Sequence, residues 1–112
     1  MTISIENDQV GDITITAMID ECIQLMQKYA CDLGYVSLVF RHILDQISRK
    51  KLGNPERARN VNELLRFARS VYEWGEYNSV PGSRMVRYGV PFMNAAEDAI
   101  FMLDPNLHPD WL

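Results

Sequence analysis

Two histidines, His42 and His108, and two cysteines, Cys22 and Cys31, are the residues best suited to nucleophilic, metal-binding or proton-transfer chemistry in this 112-residue chain. Neither pair has the spacing such chemistry needs. The histidines are separated by most of the chain, and no paired-Cys or HExxH pattern provides zinc ligands. His42 falls on the polar side of a helical segment, and His108 lies between Leu107 and Pro109 in a tail. Cys22 falls on an apolar stripe. Cys31 has no neighbouring base to activate it. If one helix carries both cysteines, nine residues separate their α-carbons by about 13.5 Å, on opposite sides, so they cannot pair. The carboxylates Asp20–Glu21, Asp8/Asp12 and Glu97–Asp98 read as solvated acidic faces or helix-terminal charges rather than acid/base pairs. With no nucleophile elbow or phosphate loop, the expectation is a protein that is not an enzyme, with no catalytic residue, metal or cofactor.

The other chemistry-bearing stretch is "RKKLGNPERARNVNELLRFAR", residues 49–69, with seven Lys and Arg residues in a chain of net charge -4. Its helical half balances itself, because Arg59/Glu63, Glu63/Arg66 and Arg69/Glu73 stand three or four residues apart. Its turn half does not: Arg49, Lys50, Lys51, Arg57 and Arg59 face only Glu56. A phosphate backbone would bind such an excess, so a nucleic-acid-binding helical hairpin on these five residues is the alternative functional reading.

Charge is also divided along the chain. Residues 1–34 hold one Lys against six acids, residues 35–90 ten bases against five acids, and residues 91–112 four acids. Such segments can neutralise one another within a fold or across a dimer. With 47% hydrophobic and 23% charged residues, the composition is that of a folded domain, and 112 residues suffice for one core. No apolar run reaches the roughly 20 residues of a membrane span, and no signal-peptide pattern opens the chain. A cytoplasmic protein without membrane contact is expected.

The elements that must position these residues are helices. Ile15, Met18, Cys22, Leu25, Tyr29 and Leu33 follow one helical face, which predicts a helix over 15–33 ended by Gly34. Before it, Ile3, Ile5, Ile13 and Ile15 also alternate as a small hairpin would, but an extended arm over residues 1–13 is the preferred reading. Val36, Val39, Phe40, Ile43 and Ile47 define a second helix, from Tyr35 to about Leu52. Asn54 as N-cap and Pro55 at the first helical position open a third. Its apolar sector runs through Val61, Leu64, Leu65, Ala68, Val71 and Tyr72, widened by Phe67 and Trp74, and implies contact with more than one neighbour. After a loop with a short strand at 85–88, Asn94 and Glu97 form a capping-box pattern for a short fourth helix. The twice-proline-interrupted residues 104–112 predict an extended tail. The expected fold is all-α: one domain over 1–112, a compact bundle of about four helices between an arm and a tail.

Helix four would turn Phe92, Ala96, Ala99 and Leu103 inward. That leaves Phe101 and Met102 on its acidic side and Trp111 and Leu112 at the end of the tail, an anchor set for a partner. The functional expectation is therefore a small protein-binding module. In general character it is similar to adaptors, inhibitors and immunity-type proteins of mobile elements, and its partner is an unidentified protein or a second copy of the chain.

Overall fold

The computed structural model describes residues 11–49 and 53–112, which form α1 (Gly11–Gln27), α2 (Leu33–Ser48), α3 (Asn54–Asn78) and α4 (Val86–Leu103). The expected all-α bundle is the fold observed. The boundaries differ in instructive ways. Helix α1 begins at Gly11, so the end of the expected arm is helical, and Ile13 and Ile15 belong to a helix rather than to a hairpin strand. The remainder of that hairpin lies outside the described residues.

The single helix expected over 15–33 is two helices. Tyr29 adopts a left-handed backbone conformation (φ 57°), its N–H donates to Met26 O at 3.0 Å, and Ala30 N–H donates to Leu25 O at 2.8 Å. That bonding ends a helix in the Schellman manner, at a position where glycine is the usual occupant. Asp32 then starts α2, accepting the Tyr35 N–H at 2.7 Å as an N-cap, and Gly34 sits inside the new helix. The reversal brings Cys31 back against Cys22, with the sulfurs 3.3 Å apart. The expectation that these two could not meet is thus corrected. Its premise, an unbroken helix, fails at Tyr29.

Two other starts shift. Gly53, not Asn54, caps α3: its carbonyl accepts Arg57 N–H at 2.9 Å, and Asn54 is already helical. Helix α4 begins at Val86 and carries Pro91 within it, so the short strand at 85–88 and the capping box at Asn94/Glu97 are both absent. Pro91 cannot donate to the carbonyl one turn back, but the buried Gly89 and Phe92 on either side hold the helix through it.

Neighbouring helices in the chain are antiparallel, as Cys22 against Cys31, Phe40 beside Phe67 (ring centroids 4.6 Å) and Gly75 against Gly89 show. Helices α2 and α3 touch each other and both remaining helices, whereas α1 and α4 share no contact among the described residues. The bundle is therefore a rhombus with α2 and α3 on its short diagonal. This arrangement explains the wide apolar sector of α3, whose Leu64, Phe67, Ala68 and Val71 are fully buried among three partners. Phe67 is a core residue. Trp74 ties α3 to α1 by donating its indole N–H to Met26 O at 2.8 Å, and its ring lies 4.5 Å from that of Phe92 on α4.

The α3–α4 contact is the most extensive and the closest. A Cβ on Gly75 would stand 2.5 Å from Gly89 O, and one on Gly89 would stand 2.6 Å from Gly75 O. Ser79 secures the same spot by donating its hydroxyl to Gly75 O at 2.8 Å. Because the obstruction is backbone, no side chain can move aside. Gly75→Ala or Gly89→Ala must separate the helices and is expected to lower the stability of the fold by about 1–3 kcal/mol or more, measured by urea denaturation, despite alanine's better helix propensity.

Candidate partner-binding groove

Where α2 and α4 diverge they leave an apolar groove of about 760 Å³. Its floor is Phe40, Leu44, Pro91, Ala95 and Ala99, with Leu33 at one end and Met102 on the lip at the other. The cause lies in α4. Pro91, Ala95 and Ala99 recur every four residues, so the row turned toward α2 is built from short side chains that do not fill the space. Polar groups edge both walls: Arg41 and Asp45 on α2, Asn94 and Asp98 on α4. An apolar floor between polar rims is the usual anatomy of a protein-docking surface. The row 91/95/99 was visible in the sequence, but its meaning depends on which helix it faces.

The four anchor residues expected from sequence do not converge. Met102 is 70% exposed on the groove lip and Phe101 is 64% exposed on the next face of α4, which no other helix covers. Trp111 instead folds back onto α3, its ring 5.7 Å from that of Tyr72, and Leu107 packs beside it on the core. Leu112 remains largely exposed at the end of the chain.

The basic turn is less concentrated than its composition suggests. Lys50 and Lys51 lie outside the described residues. Arg57 donates to the Arg49 carbonyl at 3.1 Å, closing the last turn of α2, and Arg49 approaches Asp45 at 4.0 Å. On α3, Arg66 bridges Glu63 (2.9 Å) and Asp20 of α1 (3.0 Å), and Arg69 pairs with Glu73 at 2.8 Å. The Glu63 and Asp20 carboxylates hold the Arg66 guanidinium in its charged form against partial burial. The Glu63/Arg66 and Arg69/Glu73 pairs therefore form as expected, and these arginines are engaged with acids. Arg59 stands on the exposed first turns of α3.

The residues considered for catalysis are dispersed. His42 is on α2 and His108 in the tail, Asp20 and Glu21 face Arg66 and the Tyr35 hydroxyl, and Glu97 and Asp98 are exposed on α4. Asp8 lies outside the described residues, as does the side chain of Asp12. Among the described residues no three His, Cys, Asp or Glu side chains are grouped to hold a metal ion. No helix of the described residues is long and apolar enough to cross a membrane.

The cysteines are the exception to this dispersal. Cys22 is fully buried and Cys31 nearly so. Either sulfur can donate across that contact; the contact and then burial push the Cys22 thiol up, while the same contact pulls the Cys31 thiol down against the effect of its burial. Cys31 also lines a second groove of about 670 Å³, bounded on α4 by Arg87 and Tyr88 and sharing Leu33 and Pro91 with the first.

Trp111 gives the sharpest test of how the tail is used. Trp111→Ala is expected to cost about 1–3 kcal/mol in urea denaturation, less than a fully buried tryptophan but well above an exposed one. A change within about 0.5 kcal/mol would show that the tail is not part of the fold. No protein-family model, curated protein or solved structure matches this chain, so the reading of its surface rests on its own residues.

Proposed function

We propose that this chain is a small protein-binding module of the adaptor, inhibitor or immunity type, and that it docks its partner along the α2–α4 groove. The observation that carries the reading is the groove itself, an uncovered apolar floor with polar rims and Met102 exposed at its lip. A helical or extended segment of a partner presenting apolar residues at three-and-four or alternate spacing fits such a trough. Phe101 adds a second exposed apolar side chain on the uncovered face of α4. In this reading Trp111 acts indirectly, by holding the tail against α3, and Leu112 is peripheral.

Among the described residues neither the chemistry-bearing side chains nor the grooves bring an acid/base pair together, and the non-enzymatic reading rests on that dispersal. The nucleic-acid alternative is set second because, of its five residues, Arg57 donates to a carbonyl at the end of α2 and Arg49 approaches Asp45, while Lys50 and Lys51 lie outside the described residues.

Ala95→Arg fills the groove from its floor, and Met102→Glu places a charge on its lip. Both sites have room for the change, so the helical circular dichroism should be retained. An immobilised wild-type chain is expected to retain a defined protein from nuclease-treated lysate of its own cell, and each variant to lose about tenfold or more of that capture, as removal of an anchor worth about 2 kcal/mol implies. Equal capture by wild type and both variants would place the docking surface elsewhere. Capture that disappears with nuclease would favour the nucleic-acid reading.

A further inference from the structure

We propose that Cys22 and Cys31 form a reversible intramolecular disulfide when the protein meets a peroxide, Cys31 being oxidised first and Cys22 resolving it. The geometry is already close. The sulfurs stand 3.3 Å apart, so reaching the ~2.05 Å of a disulfide requires them to close by roughly 1.2 Å. The two residues differ in the freedom to make that movement. Cys22 is fixed in the fourth turn of α1, whereas Cys31 belongs to the non-helical link between α1 and α2. That link holds a left-handed tyrosine, a conformation that non-glycine residues adopt at a cost.

The order of events follows from access and from the hydrogen bond. Cys31 is 9% exposed and faces the groove bounded by Arg87 and Tyr88, while Cys22 is sealed beneath it. Only Cys31 meets a small oxidant. The contact with Cys22, in which either sulfur can be the donor, also lowers the Cys31 thiol toward its thiolate, the reactive form. In the first step the Cys31 thiolate attacks one peroxide oxygen and the O–O bond breaks. Cys31 becomes a sulfenic acid and hydroxide leaves. In the second step the Cys22 sulfur attacks the Cys31 sulfur, the S–O bond breaks, and a second hydroxide departs, taking the Cys22 proton as water. Two thiols have then lost two electrons and two protons to one peroxide, which becomes two waters. Thiol–disulfide exchange with a small thiol restores the reduced pair.

A pair of cysteines can also occupy a core merely as small apolar side chains, and would then be inert. Hydrogen peroxide on the reduced full-length chain separates the cases. The proposal expects the intact protein to lose the mass of two hydrogens, both thiols to disappear together, a cross-linked peptide joining residues 22 and 31, and full reversal by dithiothreitol. Cys22→Ser should stop at a Cys31 sulfenic acid trapped by dimedone. Cys31→Ser should lower the rate of Cys22 oxidation at least tenfold. The proposal is overturned if the wild-type thiols both persist under peroxide that consumes free cysteine, or if oxygen is added without a cross-link. It is equally overturned if the only disulfide joins two chains. These wild-type readouts stand whether or not the serine variants fold, and a Cys31→Ser protein oxidised as fast as wild type would reverse the assigned roles.

Discussion

The backbone-to-backbone approach of α3 and α4 at Gly75 and Gly89 governs the geometry of the rest. Each glycine leaves the space that the other's carbonyl occupies, so the two helix axes meet at one fixed place and at close range. From that pivot Trp74, adjacent to Gly75, is brought between Phe92 on one side and the end of α1 on the other. The same pivot sets the line of α4, and with it the row Pro91, Ala95 and Ala99 that faces α2 across open space. A groove on one side and a uniquely placed tryptophan on the other thus share a cause.

The turn after α1 depends on that tryptophan. A helix ending on a left-handed tyrosine lacks the conformational ease of glycine, and the structure compensates from outside. The Trp74 indole satisfies the Met26 carbonyl, its ring lies 6.2 Å from that of Tyr29, and Arg84 sits over the other ring at 5.8 Å. Asp32 then begins the next helix. These contacts come from α3 and from the link before α4, far along the chain, which is why the local sequence did not reveal them.

Much of the fold was nevertheless legible. The stripes Val36, Val39, Phe40, Ile43 and Leu64, Ala68, Val71 are buried as their periodicity required, because a 3.6-residue repeat states which face meets the core without naming the neighbour. What failed were places where one residue type has two meanings. Tyr29 and Leu33 continued the spacing of α1 although one belongs to its cap and the other to α2. The Asn94/Glu97 pattern suggested a helix start, yet α4 already runs from Val86 and continues through Pro91. Phe101 and Met102 were correctly placed outside the core, whereas Trp111 needed knowledge of the Tyr72 side of α3. The groove was the least readable feature, since an empty space between two helices is a property of neither sequence segment.

Among the described residues α1 and α4 share no contact, and this also shapes how firmly each helix is held. Helices α2, α3 and α4 each meet their sequence neighbour across a short link, so their pairing closes small loops at little entropic cost. Helix α1 likewise meets α2 across a short link and reaches α3 beyond it, but among the described residues it has no contact with α4. With neighbouring helices on two sides only, α1 is expected to open more readily than α2 or α3, each of which meets three. The sulfur pair lies where α1 turns into α2, at the local end of that helix's attachment.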